Sequence, residues 1–121
     1  MRTDKGPNLI VEITFQFSLK VIDYTETLLV DRKYRMADQL FRSATSIGAN
    51  VREAQNSESR IDFIHKMKVA AKEADETLYW LELCMTSPHY PCCRGLMADI
   101  ASISRILSKI IGTSKRFISQ Q

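Results

Sequence analysis

The residue pair best suited to catalysis in this 121-residue chain is Arg60 and His65, which are separated by four residues. An arginine can stabilise the negative charge of a phosphorane-like transition state while a histidine transfers protons. Such a pair would suit RNA cleavage, but two residues at one spacing arise easily by chance. We therefore keep a ribonuclease as the alternative hypothesis. The preferred hypothesis is a non-catalytic protein, to which we assign no catalytic residues.

A second group contains four potential zinc ligands close together in the sequence: Cys84, His89, Cys92 and Cys93. Structural zinc sites pair their cysteines as Cys-x2–4-Cys, a spacing that is missing here, and adjacent cysteines bind one ion awkwardly. Cys84 also fits a buried helical position, where cysteine acts as a small hydrophobe. With only 4 glycines, the chain is poorly suited to a phosphate-binding loop. We predict neither a metal nor a cofactor.

Basic residues offer a third kind of chemistry, the neutralisation of nucleic-acid phosphates. The formal net charge is only +3, and acidic residues are interleaved with the basic ones, which is typical of a mixed, solvated surface. Any phosphate contact should then come from a local patch. The candidates are Arg42, Arg52, Lys66 and Lys72, of which Arg42 and Arg52 lie about 80° apart on an ideal helix.

The elements that carry these residues are predicted to be helices, because apolar residues recur in steps of three and four. In the third segment, the predicted seam consists of Ile64, Met67, Ala71, Ala74, Leu78, Leu81 and Met85. Ser59 followed by Asp62 is typical of a helix start, and Ser87-Pro88 predicts the end of that helix. No segment alternates with the period of two that a strand requires.

Four amphipathic segments follow from this spacing, at about 8–30, 34–57, 60–86 and 92–119. A chain of 121 residues has room for one core, so residues 1–121 are predicted to form a single domain. Short connections favour antiparallel neighbours. The predicted fold is therefore all-α, an antiparallel up-down-up-down four-helix bundle.

The first helix has a wider apolar arc than one bundle seam needs. One face consists of Ile10, Ile13, Phe17, Val21, Tyr24 and Leu28. A second set widens that face, namely Phe15, Leu19, Ile22 and Leu29. The aromatic residues Phe15, Phe17, Tyr79 and Trp80 also exceed what one bundle seam needs. This surplus predicts burial against another subunit, and hence a homo-oligomer.

Small and polar residues lie unusually close to the apolar stripe of the second helix. Gly48 lowers helix propensity by about 1 kcal/mol relative to alanine, which a close approach of a neighbouring helix would offset. Asn50 lies three residues after Ile47 and four before Ala54, so it points partly inward and needs hydrogen-bond partners. We predict a structural polar motif that fixes helix register, with a ligand site as the alternative. Its members are Ser46, Asn50, Glu53, Glu73 and Glu76.

Two blocks of the sequence carry a family resemblance. The first consists of Gln39, Leu40, Arg42, Ser46, Ile47, Asn50, Val51 and Glu53. The second runs from Asp62-Phe63 through Glu73-Ala74 to Tyr79-Trp80-Leu81-Glu82. Both blocks resemble the four-helix bundle proteins related to the 23S rRNA intervening-sequence protein, whose second helix carries the motif Q-L-x-R-x-x-x-S-I-x-x-N-I-x-E. Arg52 departs from the family pattern, which usually has a small alanine at that position.

The resemblance implies a four-helix bundle that often assembles into a ring-like homopentamer. A related accessory protein of diversity-generating retroelements binds nucleic acid and a reverse transcriptase, whereas no enzymatic activity is established for the family as a whole. We therefore expect a non-catalytic oligomeric binding or scaffold protein, whose partners are itself and RNA, DNA or a nucleic-acid enzyme. The Arg60 and His65 spacing is similar to the motif of HEPN-type ribonucleases, although Ile61 replaces the polar residue often found after the arginine.

The sequence also predicts where the protein acts. Residues 1–7 have no apolar run after their charges, so they do not resemble a signal peptide. No apolar stretch approaches the roughly 18 residues of a membrane span. The odd count of 3 cysteines does not suit a secreted disulfide framework. We expect a cytoplasmic protein without a membrane partner.

Overall fold

A computed structural model of the protein describes residues 8–119 as four α-helices and their connections. The expectation that residues 1–7 are not a signal peptide lies outside this range. Within the described residues there is no strand. The helices are α1 (Leu9–Val30), α2 (Tyr34–Ala54), α3 (Arg60–Thr86) and α4 (Arg94–Ser119). The predicted all-α four-helix bundle is confirmed, and each helix end falls within about four residues of its predicted place.

The four helices pack in chain order around a square, so α2 lies between α1 and α3, and α4 closes the bundle against α1. Across residues 8–119, no Cα atom of one helix lies within 8 Å of a Cα atom of the helix diagonally opposite. The connections are short, which makes consecutive helices antiparallel. The contact between α1 and α4 is the least extensive of the four, and this seam is where the bundle is most open.

Both predicted ends of α3 are confirmed. The Ser59 side chain accepts a hydrogen bond from the backbone N–H of Asp62 at 3.0 Å, which caps the first turn of the helix. At the other end, Ser87 has an extended backbone, and Pro88 follows it. Because a residue before proline disfavours the helical region, the chain turns here towards α4.

The buried residues of α2 recur mainly in steps of three and four, whereas the seam of α3 is shifted from its predicted line. The residues buried in α3 are Ile64, Met67, Ala70, Ala74, Thr77, Leu81 and Cys84. The predicted seam members Ala71, Leu78 and Met85 are instead partly buried against the core. The shift arises because α3 packs against two helices, so its most buried line falls between the two stripes that face them.

The close helix approach predicted at Gly48 is confirmed. A Cβ atom on Gly48 would lie 3.4 Å from the backbone carbonyl oxygen of Thr14 and 3.5 Å from the Ser18 hydroxyl. The backbone of α1 therefore runs directly over α2 at this point. Thr14 itself is buried, and its hydroxyl donates to the Ile10 carbonyl oxygen at 2.7 Å, which satisfies it within the core.

Of the helices formed by residues 8–119, none is long and apolar enough to cross a membrane.

Candidate functional site

Arg42 is the centre of a polar network that joins α2 to α3. Its guanidinium lies 3.4 Å from the Glu73 carboxylate, forms an ion pair with Glu76, and donates to Gln39 at 3.1 Å. The indole N–H of Trp80 donates to the same Glu76 carboxylate at 3.1 Å. The guanidinium is half exposed, so the network contributes modestly to stability. Phosphate binding by Arg42 stays a prediction, but a phosphate would have to compete with two carboxylates.

The predicted contact between Asn50 and the glutamates is wrong. The Asn50 side chain donates to the Ser46 backbone oxygen at 2.8 Å, and the Ser46 hydroxyl donates to the Arg42 backbone oxygen at 2.7 Å. Both bonds lie within α2, and Glu53 is exposed. The pairing of Arg42 with Glu73 and Glu76 sets the antiparallel register of α2 and α3. Asn50, two turns further along α2, is therefore carried beyond the reach of either glutamate.

The buried polar contact between α2 and α3 is instead made by Ser43 and Thr77. Their hydroxyl oxygens are 2.9 Å apart, and the Thr77 hydroxyl also lies 2.8 Å from the Glu73 backbone oxygen. Both residues have 0% exposure. This pair was missed in the sequence, although the signal was present. Ser43 lies three residues after Leu40 and four before Ile47, which is a core position.

This geometry changes the expected effect of mutating Asn50. The sequence alone predicts that Asn50→Ala costs about 1–3 kcal/mol, the price of stranding buried partners. With its hydrogen bond confined to its own helix, we now expect about 0.5–1 kcal/mol for Asn50→Ala. Thr77→Val, which leaves the Ser43 hydroxyl only its long 3.4 Å hydrogen bond to the Leu40 backbone oxygen, should cost about 1–3 kcal/mol.

Urea unfolding of each variant, followed by circular dichroism, measures these differences. The double variant Ser43→Ala/Thr77→Val is the matched control. It should recover part of the loss caused by Thr77→Val alone, because it removes both partners together. A larger loss for Asn50→Ala than for Thr77→Val would contradict this assignment.

The other three predicted phosphate-binding residues have different surroundings, and a patch shared with Arg42 stays a prediction. The Arg52 guanidinium lies 5.5 Å from the ring centroid of Phe15, at the junction of α1 and α2. Lys66 forms an ion pair with Asp62 at 4.0 Å. Lys72 is exposed, six residues further along α3 and about 120° around it from Lys66. The four residues therefore point in several directions from the bundle.

The proposed ribonuclease pair is also separated in the structure. The Arg60 guanidinium stacks on Phe117 at 4.9 Å from the ring centroid. His65 is exposed, and a spacing of five residues rotates it about 140° around the helix from Arg60. The two side chains therefore lie on different sides of α3, and the ribonuclease hypothesis stays an untested alternative.

The four potential zinc ligands divide into two buried and two exposed residues. Cys84 and Cys93 are buried, as predicted for Cys84, whereas His89 and Cys92 are exposed. Burial raises the pKa of the Cys84 thiol to about 11, so it is protonated and unreactive at neutral pH. Across residues 8–119, no group of three or more potential ligands is placed to hold a metal ion.

The charge of the protein is unevenly distributed along the chain. Residues 100–121 contain four basic and no acidic residues, whereas residues 1–99 contain 13 basic and 14 acidic ones. The positive excess therefore belongs entirely to α4 beyond Asp99. This asymmetry was overlooked in the sequence, where the whole-chain charge hid it.

An apolar strip lies on the outer face of α1 and α2, where both helices meet solvent. Phe15 and Leu19 on α1 are each 44% exposed, and Phe41 on α2 is 46% exposed. Between them, small residues line a shallow cavity of about 280 Å³ near Gly48, notably Thr45 and Ala49. We call Phe15, Leu19, Phe41, Thr45 and Ala49 the α1–α2 strip. Its length and its exposed aromatic rings are typical of an interaction surface.

The surplus aromatic residues named in the sequence have different environments. Phe15 and Tyr79 are exposed, as an interface would require, and Tyr79 is 55% exposed. Phe17 is only 2% exposed and belongs to the core, so its assignment to the surplus was wrong. The α-helical period places Phe17 on the inner face of α1, while Phe15 lies two residues away on the outer face.

The sequence profile described as 23S rRNA-intervening sequence protein matches residues 8–109, which include α1, α2, α3 and most of α4. The chain belongs to this family. Among solved structures, it is similar to the crystal structure of a protein of unknown function from Bacteroides thetaiotaomicron, of a ribosomal protein family. That protein has 36% sequence identity and a TM-score of 0.80, and the match covers 84% of this chain and 97% of the other. A search of curated proteins finds no match.

Membership of the 23S rRNA-intervening sequence protein family agrees with the bundle and with the two sequence blocks on α2 and α3. Arg42 and Glu73, taken from one block each, form the ion pair described above. The Ser46 and Asn50 positions of the motif close hydrogen bonds along α2. The shared positions in this chain therefore stabilise a helix and its packing.

Proposed function

We propose that this member of the 23S rRNA-intervening sequence protein family is a non-catalytic protein that self-assembles and binds partners as an oligomer. The observation that carries the proposal is the exposed α1–α2 strip. Three large apolar side chains in water, Phe15, Leu19 and Phe41, are unfavourable unless another surface covers them. The small residues between them let a neighbouring helix approach closely.

A closed ring needs two different surfaces on each subunit, because its interfaces are heterologous. The α1–α2 strip supplies one of them. Tyr79 and Leu83, one turn apart on α3 and 55% and 39% exposed, supply a counterpart. The pentameric number comes from the family resemblance. Repetition of a weak binding patch around such a ring would raise its affinity through avidity.

Shielding of the strip can be measured by thiol labelling. In a Cys92→Ala background, Ala49→Cys places a thiol within the strip, and Ala98→Cys places one on the exposed face of α4 as the control. In the assembled protein, we expect a maleimide to modify position 49 at least about tenfold more slowly than position 98, because reaction requires an open interface. Equal rates at micromolar protein concentration would contradict burial of the strip.

Nucleic acid is the second candidate partner, and the uneven charge of α4 favours it. The basic residues beyond Asp99 are Arg105, Lys109, Lys115 and Arg116. Without acidic neighbours in sequence, they attract phosphates more effectively than the interleaved charges of α2 and α3 do. We therefore place the binding surface on the second half of α4, with Arg52 and Lys72 as subsidiary contacts. A nucleic-acid enzyme and a cytoplasmic location remain parts of the same proposal.

Binding can be tested by fluorescence anisotropy with duplex, single-stranded and structured RNA probes at about 50 mM salt. Lys109→Glu/Arg116→Glu should weaken binding at least about tenfold, and affinity should fall steeply between about 50 and 200 mM salt. The matched control is Arg35→Glu/Arg94→Glu, which makes the same charge change at the opposite end of the bundle. Arg42→Glu is unsuitable as a test of nucleic-acid binding. It places a third carboxylate beside Glu73 and Glu76, so it also disturbs the contact between α2 and α3.

If no probe binds at this salt concentration, nucleic-acid binding is excluded, and a scaffold for protein partners becomes the better account. If both double variants weaken binding equally, the interaction depends on total charge rather than on the surface of α4.

A further inference from the structure

An apolar groove of about 580 Å³ opens where α3 begins and α4 ends. Its walls are formed by Phe63 from α3 and by Ile106, Ile110 and Phe117 from α4. Two cations, Arg60 and Lys109, stand at its edge. We call this site the end groove. Its volume falls within the range of pockets that hold small organic ligands.

The end groove exists because the first residue of α1 does not reach as far along the bundle as the last turns of α4. Lys20 of α1 forms an ion pair with Asp99 of α4 at 3.0 Å, and Ile13 lines a cavity together with Ile106. In this antiparallel register, the start of α1 reaches only the level of Ile110. The last turns of α4 therefore extend past α1, and among the described residues none from α1 covers the side of α4 that α1 covers elsewhere.

The charges around the end groove have one sign. Among the described residues, neither Arg60 nor Lys109 has an acidic partner, and Arg60 lies over the Phe117 ring at 4.9 Å. This differs from Lys20, Arg42 and Lys66, each of which is paired with a carboxylate. Within residues 8–119, no acidic side chain lines the groove. The complementary ligand therefore has an apolar body and a negatively charged head.

We propose that the end groove binds a small amphiphilic anion, such as a carboxylate on an aliphatic chain. The chain would lie against Phe63, Ile106 and Ile110, and the carboxylate would meet Arg60 and Lys109 at the edge. The end grooves of two copies are unsuited to pair with each other, because each brings the same two cations. Nucleic acid fits less well, because two of the four wall residues are isoleucines, which offer no face for base stacking.

Calorimetric titration with decanoate tests the proposal on the full chain. We expect saturable binding with a dissociation constant well below about 1 mM. Decyltrimethylammonium, which has the same chain length and the opposite charge, is the matched ligand and should bind at least about tenfold more weakly. Absence of decanoate binding, including absence caused by a neighbouring subunit covering the groove, would overturn the proposal. Equal binding of both amphiphiles would overturn it too, since that is simple adsorption to apolar surface.

Two variants locate the site. Thr113→Trp fills the groove without changing its charge, and Lys109→Glu reverses one cation of the edge. Each should weaken decanoate binding at least about tenfold. Arg105→Glu is the control, since Arg105 is an exposed cation on the same helix that does not line the groove. Circular dichroism verifies that all three variants remain helical. If Arg105→Glu weakens binding as much as Lys109→Glu, or Thr113→Trp leaves it unchanged, the assignment is wrong.

Discussion

Leu40→Ala is expected to lower the free energy of unfolding by about 3–5 kcal/mol, and Leu107→Ala by about 2–3 kcal/mol. Both leucines have 0% exposure, so the apolar surface that each substitution returns to water is similar. The expected difference comes from the surroundings. How much a truncation costs depends on how far its neighbours can close the cavity that it leaves.

Leu40 lies in α2, which is packed along its length between α1 and α3. Leu107 lies in α4, which is bordered by three grooves, including the end groove and two along its seam with α1. Because α4 has free space beside it, it can shift towards a cavity more easily than α2 can. The cavity that Leu107→Ala leaves should therefore partly close, so the loss of unfolding free energy should be smaller than at Leu40.

Urea unfolding measures both free energies under the same conditions. Ile61→Ala is the control, since Ile61 is 71% exposed and belongs to neither proposed assembly surface, so its truncation should cost less than about 1 kcal/mol. Equal losses at Leu40 and Leu107 would show that α4 is packed as rigidly as α2. That result would contradict an open seam between α1 and α4.

Leu19→Glu is expected to dissociate the oligomer into folded monomers. Leu19 is exposed in the single chain, so a glutamate there is solvated and leaves the fold intact. In the assembly the same carboxylate would be buried without a partner, which typically costs several kcal/mol for each interface. Because a ring repeats its interface, the cost is multiplied around it.

The matched control is Ile61→Glu, which makes the same change at a 71% exposed residue on α3, away from the α1–α2 strip. Sedimentation velocity should show monomers for Leu19→Glu and an unchanged oligomer for Ile61→Glu. Circular dichroism should show equal helical content in both. If Leu19→Glu keeps its oligomeric mass, the strip is not the assembly surface.

Most of the fold was predictable because the apolar residues of each helix recur in steps of three and four and form a stripe along it. The capping pair Ser59 and Asp62 and the break at Ser87-Pro88 are local signals, and both were read correctly. The seam of α3 was predicted less well. Its burial depends on two neighbouring helices, and a single-helix pattern contains no information about their relative positions.

The polar contacts were harder to predict, because they depend on the register between helices. The sequence predicts that Asn50, Glu73 and Glu76 belong to one polar motif, but it does not show which side chain of α2 the glutamates contact. In the structure, the longest and most flexible side chain, Arg42, reaches both glutamates, while Asn50 bonds within its own helix. The end groove was similarly hidden. It depends on where α1 begins relative to the end of α4. The spacing of apolar residues along one helix does not contain that information.

The central claim is that the chain assembles through the α1–α2 strip, and the mass of the protein in solution tests it most directly. Gel filtration coupled to light scattering of the wild-type protein, at micromolar concentration, gives that mass without reference to shape. The proposal predicts a single species of about five times the 13.9 kDa chain mass, the pentamer implied by the family resemblance. A homogeneous 13.9 kDa monomer under these conditions would contradict it.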